Sequence, residues 1–231
     1  MKTLITWYGH ATLGIETGGK HLLVDPFFAD NPATDVKPDA LTADYILISH
    51  GHSDHVGDAV DIARRTNATI ISNAEICAWF HDKHGYANIR PHHIGGGYNY
   101  DFGRVKLTLA LHGSALPDGS NGGNPAGFLL TLLNGKKIYD AADTGLFGDM
   151  KLIGEEKIDL ALLPIGDNYT MGPDDALRAV KLLKPKVVIP IHYNTWELLA
   201  QDVNAWARRV KALTQGKTKV AVLKPGETYT L

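Results

Sequence analysis

The sequence His50-Gly51-His52-Ser53-Asp54-His55 places four metal-ligating side chains within six residues, directly after the apolar run Tyr45-Ile46-Leu47-Ile48-Ser49. The run contains β-branched and aromatic residues, which is typical of a buried strand, and a glycine is unfavourable inside a helix. The six residues are therefore predicted to form a loop at the end of a strand. Imidazole and carboxylate groups suit zinc, manganese, iron and nickel, and such a loop can direct them toward two neighbouring ions.

Three further candidate ligands follow apolar stretches later in the chain, namely His112, Asp143 and His192. Any one of the seven alone would be better explained as a polar loop residue, a turn or a helix start. The H-x-H-x-D-H string, however, has a low chance of occurring in an ordinary chain. Its presence favours a common metal site, because the ends of several strands can converge on one edge of a sheet.

The motif and the three later residues, in this order, resemble the metallo-β-lactamase superfamily. That resemblance implies an α/β fold, an αββα four-layer sandwich, with one or two metals at one edge. It also implies a ligand assignment. The first metal would be held by His50, His52 and His112, the second by Asp54, His55 and His192, with Asp143 bridging the two.

Longer stretches resemble the small bacterial and archaeal metal-dependent hydrolases similar to L-ascorbate-6-phosphate lactonase. They cover residues 7–11, 23–27, 143–150, 163–173 and 190–195. This nearly end-to-end resemblance implies assembly into homo-oligomers. Relatives usually read Tyr-His-Ala-Gly-Asp-Thr around the bridging aspartate, whereas this chain has Asp140 and Ala142 in place of the His and Gly. The two changes are expected to alter the hydrogen bonding and the turn next to Asp143.

Other polar residues near the predicted ligands have expected roles as well. The resemblance places His10 at the edge of the active site, where it would bind substrate or shuttle a proton, and a structural turn histidine remains the alternative. Asp25 is expected to orient a metal-bound histidine. Asp167 and Asn168 are expected either to do the same or to line the pocket.

Composition is that of an ordinary globular enzyme, with 231 residues, 44% hydrophobic and 21% charged. We expect one domain over residues 1–231. The net charge of −2 and the lack of Lys/Arg blocks argue against a nucleic-acid scaffold. The single cysteine, Cys77, is predicted to be buried in a helix. Without an apolar leader or a long apolar run, a cytoplasmic protein that does not enter a membrane is expected.

The order of predicted elements also fits two similar α/β halves. Strands are predicted within 3–24, at 45–49, 105–111, 127–133, 137–139 and 160–163, and up to 191, with helices at 56–65, 73–84, 173–183 and 202–213.

The predicted function is that of a hydrolase in which one or two divalent ions activate water, with zinc the first choice and manganese, iron or nickel also accommodated. The bond would be an ester, lactone, amide or phosphodiester in a small molecule. Asp54 would orient the water, and His10 would be the second catalytic candidate. Two alternatives stay open: a phosphodiesterase or nuclease-type activity on a small phosphate-bearing substrate, and a metal-binding protein without catalysis.

Overall fold

Two seven-stranded mixed sheets form the centre of the protein in the computed structural model, which describes residues 2–231. The first sheet takes β1 (Leu4–Trp7), β2 (Leu13–Thr17), β3 (Lys20–Val24), β4 (Tyr45–Leu47), β5 (Thr69–Asn73) and β6 (Ile89–His92). The second takes β7 (Gly97–Tyr100), β8 (Gly103–Leu109), β9 (Ala126–Leu132), β10 (Lys137–Asp140), β11 (Leu160–Pro164), β12 (Val187–Ile191) and β13 (Lys219–Val220). The C-terminal β14 (Thr228–Thr230) returns to the first sheet beside β1.

The two sheets repeat one topology. In the first, order β14-β1-β2-β3-β4-β5-β6, pairing is antiparallel up to β3 and parallel from there to β6. In the second, order β13-β12-β11-β10-β9-β8-β7, the strands from β7 to β10 are antiparallel and those from β10 to β13 are parallel. The prediction of two similar halves is confirmed.

The helices are α1 (Ser53–Val56), α2 (Ala59–Thr66), α3 (Ala74–His84), α4 (Met150–Gly154), α5 (Pro173–Leu183) and α6 (Val203–Thr214), with 3₁₀ turns at Pro38–Ala40 and Glu197–Leu199. The helix predicted at 56–65 begins later, as α2 at Ala59, because Gly57 and Asp58 separate it from α1. The loop predicted over residues 50–55 is wrong in its second half, since residues 53–55 form the start of α1. In residues 2–231, none of the helices combines the length and the apolar character needed to cross a membrane.

Successive side chains of the central strands in the first sheet point to opposite faces of the sheet. Leu22, Val24 and Leu47 belong to the core shared with the second sheet. Leu23 and Ile46 point the other way and pack with residues of α2 and α3. Each such side chain contributes roughly 1.5–3 kcal/mol when fully buried.

The outer face of the second sheet is covered in the same manner. Val180 and Leu183 of α5, and Trp206 and Val210 of α6, are buried in the core that contains the second sheet. The order of layers is thus helices, sheet, sheet, helices, and the predicted αββα sandwich is confirmed.

The candidate ligands gather where strands end. The motif loop follows β4, Asp143 lies three residues after β10, and His192 directly follows β12. The sheets meet beside this edge, since the Ala126 N–H donates to the Ser49 carbonyl (3.0 Å) and the His192 N–H donates to the His10 carbonyl (2.8 Å). The carboxyl ends of parallel strands are the usual place for a site in α/β proteins.

Candidate metal centre

The motif loop is fixed by backbone contacts on both sides. The N–H groups of His55 and Val56 donate to the His52 carbonyl (3.0 Å each), which starts α1. The Gly51 N–H donates to the Ser114 hydroxyl (3.1 Å), and a Cβ at Gly51 would lie 3.1 Å from the Ser114 carbonyl oxygen. A glycine therefore lets the loop approach the segment that follows His112.

One carboxylate oxygen lies at the centre of the candidate ligands. Asp143 Oδ2 is 3.0 Å from His192 Nε2, 3.4 Å from His55 Nε2, 3.5 Å from His112 Nε2 and 4.0 Å from His50 Nε2. Asp143 comes from the second half of the chain, whereas the motif comes from the first. The fold therefore brings together residues more than eighty positions apart in the sequence.

The remaining ligand atoms form two groups around this carboxylate. We call His50, His52 and His112 the first group, and Asp54, His55 and His192 the second group. Donor atoms within each group lie within 4.8 Å of one another, and His10 joins the second group by the same measure. His50 Nε2 is 3.0 Å from His52 Nδ1, and His55 Nε2 is 3.9 Å from Asp54 Oδ2.

Buried atoms in this cluster lack the partners that burial normally demands. His55 Nε2 and Asp143 Oδ1 are buried and have no hydrogen-bond partner among the described residues. Unpaired buried polar atoms are uncommon and call for an explanation such as an ion. Imidazole nitrogens and carboxylate oxygens are the donor set that divalent transition metals take, so the residues fit such ions.

Asp25 orients two of the histidines. The Ser49 hydroxyl donates to Asp25 Oδ2 (2.6 Å), so it accepts from Nδ1–H of His50 (2.9 Å). Nδ1–H of His55 donates directly to Asp25 Oδ2 (2.8 Å). Each bond places a proton on Nδ1, so Nε2 is the atom of each ring that can ligate a metal, which is how metal-binding histidines are normally held.

Burial and charge set the protonation of the cluster. Burial lowers the pKa of His50 well below its usual value, and it also lowers the pKa of His52 and His112. Burial acts in the same direction on His55, but the Asp143 and Asp25 carboxylates outweigh it and raise the His55 pKa well above its usual value. The two carboxylates therefore make the environment of His55 negative, which attracts a proton or a metal cation.

His10 lies behind the ligands, away from solvent. Its side chain is 0% exposed. Nε2–H donates to Asp54 Oδ2 (3.0 Å), and Nδ1 accepts from the Thr195 hydroxyl (2.9 Å). Burial lowers its pKa to about 4, so the ring is neutral at pH 7. Its centroid lies 4.0 Å from that of His192.

A cleft of about 730 Å³ opens above the cluster. His52, Asp54, His112, Asp143 and His192 line its floor. Its walls include residues to which the sequence assigned no role in a site, namely Phe27, Asp30, Asp58, Tyr169 and Trp196. Trp196 follows the candidate ligand His192 by four residues, and this position is the one sequence signal that could have identified Trp196 as part of the cleft.

Asp167 and Asn168 do not line this cleft. Both have left-handed backbone, with φ of 64° and 53°, and the Asp167 carboxylate accepts from the Asn168 N–H (2.8 Å) within the same turn. The residue that this turn presents to the cleft is Tyr169. Gly166 precedes this turn and lies so close to His192 that a Cβ on Gly166 would be 2.1 Å from the His192 carbonyl oxygen.

The two departures from the resembling family, Asp140 and Ala142, are linked by a hydrogen bond. The Ala142 N–H donates to Asp140 Oδ1 (3.0 Å), and Ala142 has a φ of 51°, a conformation that favours glycine. An aspartate that accepts from the N–H two residues on supports such a turn. Burial raises the pKa of Asp140 to about 7, and the nearby Asp25 and Asp143 add to the effect.

Comparisons with known proteins agree with this architecture. A β-lactamase superfamily domain matches residues 4–192. A metal-dependent hydrolase of Heliobacterium modesticaldum, of the group designated UPF0173, is 48% identical over 239 residues, covering 98% of this chain and 97% of the relative. A second one, from Bacillus subtilis, is also 48% identical, covering 98% and 99%.

The metallo hydrolase Igni18 from Ignicoccus hospitalis superimposes on the whole chain. Its TM-score is 0.89 at 35% identity, and the match covers 100% of this chain and 99% of that one. The matches extend over strands, helices and the motif loop alike. The chain therefore belongs to the UPF0173 metal-dependent hydrolases of the β-lactamase superfamily.

Proposed function

We propose that this protein hydrolyses a small molecule by means of two divalent ions held at the floor of the cleft. The observation that carries the proposal is the convergence of four histidine Nε2 atoms within 4.0 Å of Asp143 Oδ2, next to open space. The first group would hold one ion, the second group the other, and Asp143 would bridge them. Zinc is our first choice, because a nitrogen-rich donor set suits it, and manganese, iron and nickel suit the same atoms.

The ions would supply the activation of water. Divalent ions lower the pKa of bound water from ~15.7 to about 7 and polarise the oxygen of the bond to be cleaved. The protein residues supply everything else: they fix the ligand atoms, shape the cleft and align the water. The bond would be an ester, lactone, amide or phosphodiester.

Asp54 has the best position for a catalytic role. Its side chain is 27% exposed and lines the cleft. The neutral His10 holds its Oδ2, and interactions with the neighbouring histidines keep the Asp54 pKa below its usual value against the effect of burial. An ionised carboxylate accepts a hydrogen bond from water and can orient it.

His10 would act through Asp54. Both of its ring nitrogens are engaged and no part of the side chain reaches the cleft. We therefore assign it a positioning role in place of direct contact with substrate. Cys77 has no part in the proposal, because burial raises its thiol pKa to about 12.

The test combines metal analysis with turnover. Purified protein would be measured by elemental analysis, then assayed against generic ester, lactone, amide and phosphodiester substrates before chelation, after chelation and after metal return. Two equivalents of metal with chelator-sensitive hydrolysis would support the proposal. Bound metal without any turnover would favour the metal-binding alternative, and failure to bind metal would overturn the ligand assignment.

A further inference from the structure

The cleft walls differ in character from its floor. Three of the side chains that line the walls are aromatic, namely Phe27, Tyr169 and Trp196. Two acidic residues, Asp30 and Asp58, lie among them, and in the described chain no lysine or arginine lines the cleft. The ions of the proposed function would bind the reacting group at the floor, so these walls would contact the rest of the substrate.

The aromatic side chains are held in place at the opening. Trp196 packs edge-on against His10, with centroids 4.9 Å apart and planes at 67°, and its centroid lies 6.2 Å from that of Phe27. Asn194, in left-handed backbone, accepts from the Gln201 N–H (2.7 Å) and its own N–H donates to the Leu199 carbonyl (2.9 Å). The turn that carries Trp196 is therefore closed by hydrogen bonds.

Tyr169 is presented by an equally constrained turn. The Asp167 N–H donates to the Met171 carbonyl (3.2 Å), and a Cβ on Gly172 would lie 2.9 Å from the Asp167 carboxyl carbon. Tyr169 remains 57% exposed and Trp196 40% exposed. Tyr98, outside the cleft, is similarly exposed. Exposure alone therefore does not indicate a site, whereas three aromatic side chains that line the same cleft do.

The charges on the walls are negative. Asp58 Oδ2 accepts from the N–H groups of Phe28 (2.6 Å) and Ala29 (3.1 Å), which ties the segment containing Phe27 to α2. Asp30, at the end of that segment, is exposed. Negative charge on the walls repels anionic groups that lie against them, and aromatic faces attract apolar and cationic groups.

We propose that the substrate carries, beyond the bond that is cleaved, a flat apolar group that is neutral or positively charged. A substrate with a distal phosphate, sulfate or carboxylate would find no cation on these walls. This inference rests on the proposed hydrolase function, and it selects neutral or cationic aryl esters, lactones or amides over phosphate-bearing metabolites.

The experiment uses aryl esters of one leaving group whose acyl portion carries a phenyl ring bearing hydrogen, trimethylammonium or sulfonate. With metal-loaded enzyme, kcat/KM for the neutral and cationic esters should exceed that for the sulfonate by at least about tenfold. Trp196→Ala should raise KM for the phenyl esters about tenfold and by clearly more than it raises KM for a small aliphatic ester, and Trp196→Phe should retain most of the affinity. Asp30→Asn should reduce the preference for the cationic ester over the neutral one several-fold.

Matched controls are Tyr98→Ala, an exposed aromatic outside the cleft, and Asp82→Asn, an exposed carboxylate on α3. Neither should change the ranking. A sulfonate ester as good as the neutral one, or the same loss in Tyr98→Ala as in Trp196→Ala, would overturn the inference.

Binding separates this inference from the proposed function. Calorimetry on the metal-loaded enzyme would compare benzyltrimethylammonium, benzyl alcohol and toluenesulfonate. If no ester is hydrolysed but the sulfonate still binds weakest, the hydrolase proposal fails and the substrate class stands. If esters are hydrolysed and the sulfonate series is preferred, the hydrolase proposal stands and the substrate class is wrong; neither turnover nor binding would reject both.

Discussion

The two groups of candidate ligands differ in how firmly the protein holds them. In the second group, His55 donates to Asp25, Asp54 accepts from His10, and His192 packs against the His10 ring. In the first group, only His50 has such a partner, through Ser49. Within the described chain, the hydrogen bonds, ion pairs and ring contacts found for the side chains of His52 and His112 are with other candidate ligands.

On the proposed ligand assignment, the two groups would be metal sites of unequal rigidity. Hydrogen bonds to ligands raise metal affinity because the ligand atoms need no reorganisation on binding. We therefore expect the second group to bind its ion first and to hold it longer. The first group, with fewer supporting contacts outside the ligand set, would be the exchangeable one.

The largest effect should come from the residue that the groups share. Asp143→Ala removes the carboxylate around which both groups are arranged, so neither should retain a full equivalent of metal, and kcat should fall by at least about 10³-fold. Elemental analysis and turnover on a generic ester measure both. Asp82→Ala serves as the control. Two tightly bound equivalents in Asp143→Ala would show that the groups are independent and would contradict the bridging assignment.

A substitution next to the second group should lower metal affinity at that group and leave the first group unchanged. His10→Ala leaves Asp54 Oδ2 without its donor, and we expect a loss of about 10- to 100-fold in metal affinity at the second group only. Chelator competition measures the two affinities. His10→Gln, which can still donate to Asp54, should recover part of the loss, and kcat should change more than KM. Equal weakening at both groups would mean that His10 supports the fold in general.

The number of protons released when a metal ion binds should differ between the two groups by about one. The His55 pKa is raised, so at neutral pH the metal-free ring carries a proton that an incoming ion must displace. Affinity at the second group should therefore fall about tenfold for each unit that the pH drops below that pKa. The pKa values of the first group are lowered, so those rings are already neutral and its affinity should stay flat near pH 7.

Variants isolate each group for this measurement. His52→Ala leaves the second group intact, and His192→Ala leaves the first. Calorimetry in buffers of different ionisation enthalpy counts the protons released per ion bound. If both variants release the same number of protons per ion bound, the predicted difference in protonation between the two groups is wrong.

The sequence predicted the fold and the neighbourhood of the ligands because both depend on local signals. Apolar runs such as that of β4 predict strands, and the motif follows its strand directly. The position of Asp143 after a predicted strand made it a candidate for the same site, but its role as the bridging residue required the family resemblance, since no local signal connects residues of different sheets. The role of each ligand and the single domain over residues 1–231 remain predictions.

The features that the sequence did not predict depend on distant pairings and on unusual backbone. The side-chain hydrogen bonds of His10 are to Asp54 and Thr195, which lie 44 and 185 residues away. Tyr169 reaches the cleft because Asp167 and Asn168 adopt left-handed backbone, and non-glycine residues rarely do so. Such conformations are enforced by tertiary contacts and leave no pattern in the chain.

Asp140 shows how two separate departures in the sequence become one structural feature next to the second group. Its carboxylate supports the left-handed turn at Ala142, where a glycine would need no such support. Because the folded pKa is raised from 3.8 to about 7, the charged form disfavours the folded state. This penalty is absent below about pH 4, grows as the pH rises toward 7, and is constant above that.

The smallest expected effect follows from Asp140→Asn, which keeps the acceptor for Ala142 and removes the charge. In chelated protein at pH 8, we expect a gain of about 1–2 kcal/mol in the free energy of unfolding. This is less than the about 4 kcal/mol that three pKa units represent, because the new amide is also buried. Denaturant unfolding at pH 4, 6 and 8 measures the gain, which should vanish toward pH 4. Since metal ions near Asp143 would favour the ionised carboxylate, the gain should also shrink in metal-loaded protein. A gain independent of both pH and metal would show that Asp140 acts through packing alone. The charge of Asp140 would then have no effect on the second group.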